Sequence, residues 1–166
     1  MNTAKKARKP SHLIWMMAGF LGVLSIAIYM AVITGQKSPL YASGIVEISP
    51  ELVPAAKGMR TLFLVALPPA ESGMRMPIGA ARFSVSQDAS GRFVHFALTP
   101  ETMQVMPGSA SGGMPAQFRL KARLDADGTA GMDQPGDLVG ELESVTTGSR
   151  NLVITINRVA SGVVSP

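Results

Sequence analysis

The sequence predicts a mainly β protein in which a single N-terminal transmembrane helix is followed by an antiparallel β-sandwich of the immunoglobulin or cupredoxin type. Three observations carry this. Leu13 to Ile33 is an apolar run without a charged side chain, long enough for one helix to cross a bilayer. Beyond residue 40 the apolarity breaks into short alternating runs separated by Gly, Pro, Ser and Asp. Seven such runs within about 120 residues have the spacing of a sandwich.

The order along the chain is then a basic tail (1–12), an anchor (13–34), a linker (35–43), a sandwich (44–160) and a flexible tail (161–166). Lys5, Lys6, Arg8 and Lys9 account for the whole net charge of +4, since the other eleven Lys and Arg are matched by eleven Asp and Glu. The positive-inside rule therefore leaves the tail in the cytoplasm and carries the β domain across. The apolar run is too long for a signal-peptide core, and Thr34, Gly35, Gln36 and Lys37 offer no small-x-small cleavage site. The basic tail suits anionic lipid headgroups, and a neutral domain gives no reason to expect nucleic acid. In the anchor, Trp15 and Tyr29 stand near opposite ends, as interfacial aromatics do. Ala18 with Gly22, and Ala27 with Ala31, are small-xxx-small pairs that let a second helix approach, and they are the expected helix contact.

The expected strands are Ile45–Ile48, Thr61–Leu67, Ala81–Val85, Arg92–Leu98, Gln117–Leu124, Leu138–Leu142 and Leu152–Val159. The clearest alternates Phe118, Leu120, Ala122 and Leu124 with Arg119, Lys121 and Arg123, which puts the apolar set in the core and the cations on a solvated face. Phe83, Val85, Ile154 and Ile156 complete the expected inward set. Asp88 to Gly91 is short enough to close a hairpin between its flanking runs, and Asp125 to Gly128 reads as a turn with Gly128 at positive φ. Pro68–Pro77 and Pro107–Pro115 read as longer loops. Glu51 to Lys57 has room for a helical turn, interrupted by Pro50 and Pro54.

The composition excludes several chemistries. The chain has no Cys, which removes disulfides, thiolate metal sites, haem attachment and thiol exchange, and its two His cannot make a three-His centre. His95 lies in an apolar run with no adjacent nucleophile and acid, so no catalytic set and no enzyme are expected. Asp125, Asp127 and Asp133 lack the ligand alternation of a calcium loop, and Asp137 reads as a turn former. No cofactor and no metal are assigned. Soft thioethers at Met74, Met76, Met103, Met106, Met114 and Met132, with His95, leave copper carriage as an alternative.

Six stations then appear in order: Gly44 to Pro50, Thr61 to Ala66, Met76 to Ala80, Met103 with Met106-Pro107, Ala122-Arg123, and Pro135-Gly136-Asp137-Leu138-Val139-Gly140. In this, residues 44–159 resemble the C-terminal periplasmic β domain of the cytochrome c-type biogenesis family, the CcmI or long CcmH type. The resemblance implies a sandwich outside the bacterial inner membrane working beside other maturation proteins. It departs from the family in two places. The helical repeat region of larger members is missing between anchor and domain, and Leu124 to Gly128 replaces a serine-rich segment. Gly44, Gly136 and Gly140 read as turns or close backbone approaches.

The expected function is thus a non-enzymatic, membrane-anchored assembly factor that binds or positions integral membrane or periplasmic proteins. An accessory subunit of a respiratory membrane complex is the structural alternative. Met76, Pro77, Met103, Met106 and Pro107 combine apolar side chains with rigid turns at the resemblance stations, and are the expected docking edge.

Overall fold

A computed structural model describes residues 38–74, 76–106 and 114–161. Nine strands form two sheets: β1 (Ala42–Ile48), β2 (Thr61–Leu67), β3 (Gly79–Ser84), β4 (Arg92–Leu98), β5 (Gln104–Val105), β6 (Gln117–Asp125), β7 (Leu138–Thr146), β8 (Ser149–Ile156) and β9 (Arg158–Val159). The smaller sheet has the order β4-β1-β8 and the larger β5-β3-β2-β6-β7-β9. The expected anchor lies outside the described residues, and with it the expected helix contact of Ala18, Gly22, Ala27 and Ala31. Pro107 lies outside them as well. Among the described residues no helix is long and apolar enough to cross a membrane.

The period-two pattern decides what meets across the gap. From the larger sheet, Leu62, Leu64 and Ala66 of β2 and Phe118, Leu120, Ala122 and Leu124 of β6 are buried. From the smaller sheet, Val46 and Ile48, Val94, Phe96 and Leu98, and Ile154 and Ile156 join the same cluster. Each large side chain removed from water in this way contributes roughly 1.5–3 kcal/mol. Val85 is buried as expected, while Phe83 is half-buried at the core's margin.

All ladders are antiparallel except β1–β8, which is parallel. That exception follows from the chain's path, because β8 arrives from the β7 side and runs alongside β1 before switching sheets. The switch happens at Asn157, whose N–H donates to the Val139 carbonyl (3.1 Å), and β9 continues on β7. Gly140 makes room for it: a Cβ there would stand 2.1 Å from the Thr155 carbonyl oxygen. Gly44 does the same between β1 and β8, where a Cβ would meet the Leu152 oxygen at 2.1 Å.

The expected hairpin at Asp88–Gly91 does not form. β3 and β4 belong to different sheets, so residues 85–91 cross between them. The crossing is held by the β1–β2 connection: Val85 N–H donates to the Arg60 carbonyl (2.8 Å), and Asp88 accepts from Gly58 N–H (3.0 Å) and Arg60 (2.8 Å). Of the Glu51–Lys57 stretch, only a 3-10 turn over Pro50–Leu52 is helical. β5 and β9, two residues each, lie where loop or continuous strand was expected.

Candidate functional site

The expected docking edge lies at the β5 end of the larger sheet. Gly79 pairs with Val105 and Ala80 with Gln104. Beyond that pairing, Met106 N–H donates to the Ile78 carbonyl (2.9 Å), while Ile78 N–H donates back to Ala66 (2.8 Å). These bonds tie the segment Met76-Pro77-Ile78 to the chain leaving β5. Met74 (58% exposed), Met76 (67%), Val105 (42%) and Met106 (38%) account for most of the large exposed apolar side chains among the described residues. Pro77 is half-buried between them in sequence.

Met103 does not belong to this edge. It is 2% exposed and forms part of the core. A turn directs it inward: Thr102 Oγ1 donates to the Ala97 carbonyl (2.8 Å) and accepts from Thr99 N–H (2.9 Å), and Met103 N–H donates to Thr99 (3.0 Å). Gly79 then lies over it, since a Cβ on Gly79 would come within 3.1 Å of the Met103 Cγ. Val105 takes its place at the surface. Sequence reading missed it because a two-residue strand has no periodicity to detect.

A second feature, a buried polar cluster, overturns the solvated face expected for β6. Arg123 is 2% exposed, Asp125 1% and Asp137 2%. The Arg123 guanidinium lies 4.9 Å from the centre of the Phe63 ring and donates to the carbonyls of Gly131 (2.6 Å) and Thr129 (2.9 Å). It pairs with Asp125 at 2.9 Å and Asp137 at 3.6 Å. Lys121 pairs with Asp133, and Arg119 with Glu141 at 3.1 Å. Residues 126–137, leaving β6 and returning to β7, fold back over the outer face and account for the burial.

The turns of this strap are local. Asp125 Oδ1 accepts from the Asp127 and Gly128 N–H groups (3.0 and 2.5 Å), with Gly128 at φ 75° as expected. Asp137 Oδ2 accepts from Gln134 N–H (2.8 Å), the turn-forming role read for it, and Gly136 has φ 98°. Burial pushes the Asp125 carboxyl above the usual carboxylate range, helped by its hydrogen bond to Asp127 and by the charge of Asp137, against the pull of Gly128 N–H and Arg123. The Thr129 N–H, followed by Asp125, holds Asp127 below that range. Arg123 Nε and Asp125 Oδ2 make no hydrogen bond and are compensated only by the ion pairs. The guanidinium thus occupies the centre that a cation takes in a metal loop, surrounded by carboxylates and backbone carbonyls.

This cluster joins two successive stations of the resemblance, Ala122-Arg123 and Pro135–Gly140, through the Arg123–Asp137 pair.

His95 lies elsewhere. It is exposed on the outer face of the smaller sheet opposite Ile45, beside a shallow depression of about 700 Å³ also lined by Ser43, Ala97 and Val153. Among the described residues no group of three or more His, Asp or Glu is placed to hold a metal ion.

Residues 43–157 match the family model of the Ig-like domain of cytochrome c-type biogenesis protein H. No curated protein and no solved structure matches the chain.

Proposed function

Since the chain belongs to the family of the cytochrome c-type biogenesis protein H Ig-like domain, we propose that it is a non-enzymatic assembly factor of cytochrome c maturation that holds a protein partner. The observation that carries this reading is the exposed edge of Met74, Met76, Val105 and Met106. Met is flexible and polarizable, so such a surface repacks against apolar side chains of a partner without needing catalytic geometry. The basic tail and apolar run support a setting on the periplasmic side of a bacterial inner membrane, among integral membrane and periplasmic maturation proteins.

The test is deletion of the gene followed by haem staining of c-type cytochromes. Loss of holocytochrome is expected, with rescue by the wild-type chain and not by a Met74→Ser, Met76→Ser, Met106→Ser chain. A photo-cross-linker at Val105 captures the partner in metal-free buffer. Unchanged holocytochrome together with stoichiometric co-purification in a respiratory complex overturns this reading in favour of an accessory subunit. Reporter fusions after Gln36 and after Pro166 are both expected to report export.

A further inference from the structure

The outer face of the larger sheet carries a cross-strand row that the docking edge does not use. Arg82 of β3 stands opposite Phe63 of β2, Phe63 opposite Arg123 of β6, Arg123 opposite Val139 of β7, and Val139 opposite Arg158 of β9. Guanidinium groups therefore alternate with an aromatic and an aliphatic side chain across the sheet. Arg82 is exposed at one end, 6.0 Å from the Phe63 ring centre, and the Arg158 side chain is 55% exposed at the other, where it pairs with Glu141 at 3.5 Å. Lys121 adds a further cation on the same face beside Arg123.

The strap covers the middle of this row, and what holds it there is polar. No apolar side chain of residues 126–136 is buried, and Met132 is 81% exposed. The attachments are Arg123 to the carbonyls of Thr129 and Gly131 and Lys121 to Asp133, whereas Asp125 ends β6 and Asp137 directly precedes β7, so their pairs with Arg123 stay at the strap's two roots. Both ends leave from Leu124 and Leu138, which pair with each other, so the strap can lift without parting β6 from β7. A hydrophobic plug would resist displacement by a polar ligand; a polar clasp is open to exchange for another segment of the same chemistry.

We propose that the row Arg82–Phe63–Arg123–Val139–Arg158 binds an acidic peptide segment of a partner protein, with the strap as the built-in competitor. The strap itself displays the mode of recognition, an irregular backbone giving carbonyl oxygens to Arg123 and a carboxylate to Lys121. Charge complementarity selects the occupant: lifting the strap takes Asp127 and Asp133 away and leaves Lys121 and the exposed Arg82 beside the Phe63 ring, while Arg123 keeps Asp125 and Asp137 and Arg158 keeps Glu141. No residue of the row belongs to the methionine edge.

The test uses the full-length protein in detergent with a fluorescent oligoglutamate peptide, an oligoglutamine control and vesicles of anionic lipid. Asp133→Asn removes the partner of Lys121 and weakens the strap. It is expected to tighten oligoglutamate binding about tenfold, with the population of the uncovered state, and to quicken amide exchange over residues 129–134. Asp127→Asn, which weakens the acceptor of Thr129 N–H, is a second release variant with the same expected outcome should the first fail to fold. Adding Arg82→Gln is expected to return affinity to the wild-type level. Unchanged affinity in the release variants, a gain that survives Arg82→Gln, equal binding of oligoglutamine, or binding to vesicles alone overturns the proposal.

Discussion

Arg123 sits with its guanidinium 4.9 Å from the centre of the Phe63 ring while the carbonyls of Thr129 and Gly131 accept from it and the Asp125 carboxylate pairs with it. Both residues belong to the outer face of a sheet, yet both are more than nine-tenths buried. The cation is therefore structural, and its removal leaves two buried carboxylates without a counter-charge.

Arg123→Ala is expected to destabilise the domain by about 3–5 kcal/mol, the cost of breaking a buried ion pair from one side. Arg119→Ala, four residues earlier in a partly exposed pair, is expected to cost about 0–1 kcal/mol. Urea unfolding of the two variants compares them directly. Equal effects contradict the burial assigned to Arg123.

Gly140 and Gly44 are expected to reject even a methyl group. In each, a Cβ would stand 2.1 Å from a carbonyl oxygen of β8, and backbone cannot swing aside as a side chain can. Gly140→Ala and Gly44→Ala should each cost about 1–3 kcal/mol or more through overpacking. Gly131→Ala has nothing within 4 Å and no positive φ, and its unfolding midpoint should remain near wild type.

Met103 and Met106 are separated by burial, and substitution should expose the difference. Met103→Ala is expected to cost about 2–5 kcal/mol, as truncation in a core does. Met76→Ala and Met106→Ala should stay within about 0.5 kcal/mol in stability while lowering the yield of the cross-linked partner. A stable Met103→Ala variant rules out the inward placement.

The acid dependence has two opposing contributions. Asp125 is shifted above its ordinary value of 3.8, so the folded state holds the proton more tightly than the unfolded chain. Its contribution is complete below 3.8 and is lost as pH rises through the raised folded value. Asp88 and Asp127 are shifted below 3.8, Asp88 chiefly by the Gly58 N–H and then by Arg60, so their contribution is present above 3.8 and lost as pH falls further. Urea midpoints of Asp125→Asn measured from neutral pH downward should lack the gain that wild type shows on approaching 3.8 from above. Asp88→Asn should flatten the loss below it.

Local alternation was enough to read β2 and β4, which occupy the Thr61–Leu67 and Arg92–Leu98 runs to the residue. It failed where a distant segment decides the outcome. Residues 88–91 have hairpin chemistry, but Arg60 and Gly58 of another connection bind Asp88 and pull the chain across to the second sheet. Arg123 alternates like a surface cation, and only the return of residues 126–137 over it makes it a core residue. The exposure of Met76 and Met106 was legible from composition. The burial of Met103 was not, because the Thr102 turn that directs it inward leaves no periodic trace.

The parallel pairing of β1 with β8 has a consequence for biogenesis. The Thr155 hydroxyl reaches Glu47 across a separation of 108 residues (3.0 Å), and the central strand of the smaller sheet has only β4 beside it until that late segment arrives. A nascent chain shorter than residue 149 must carry β1 with one edge bare, and pairing of such long range is slow and prone to association while it waits. Chains truncated before residue 149 should therefore be protease-sensitive throughout, and protection should appear in one step once the chain includes residue 156.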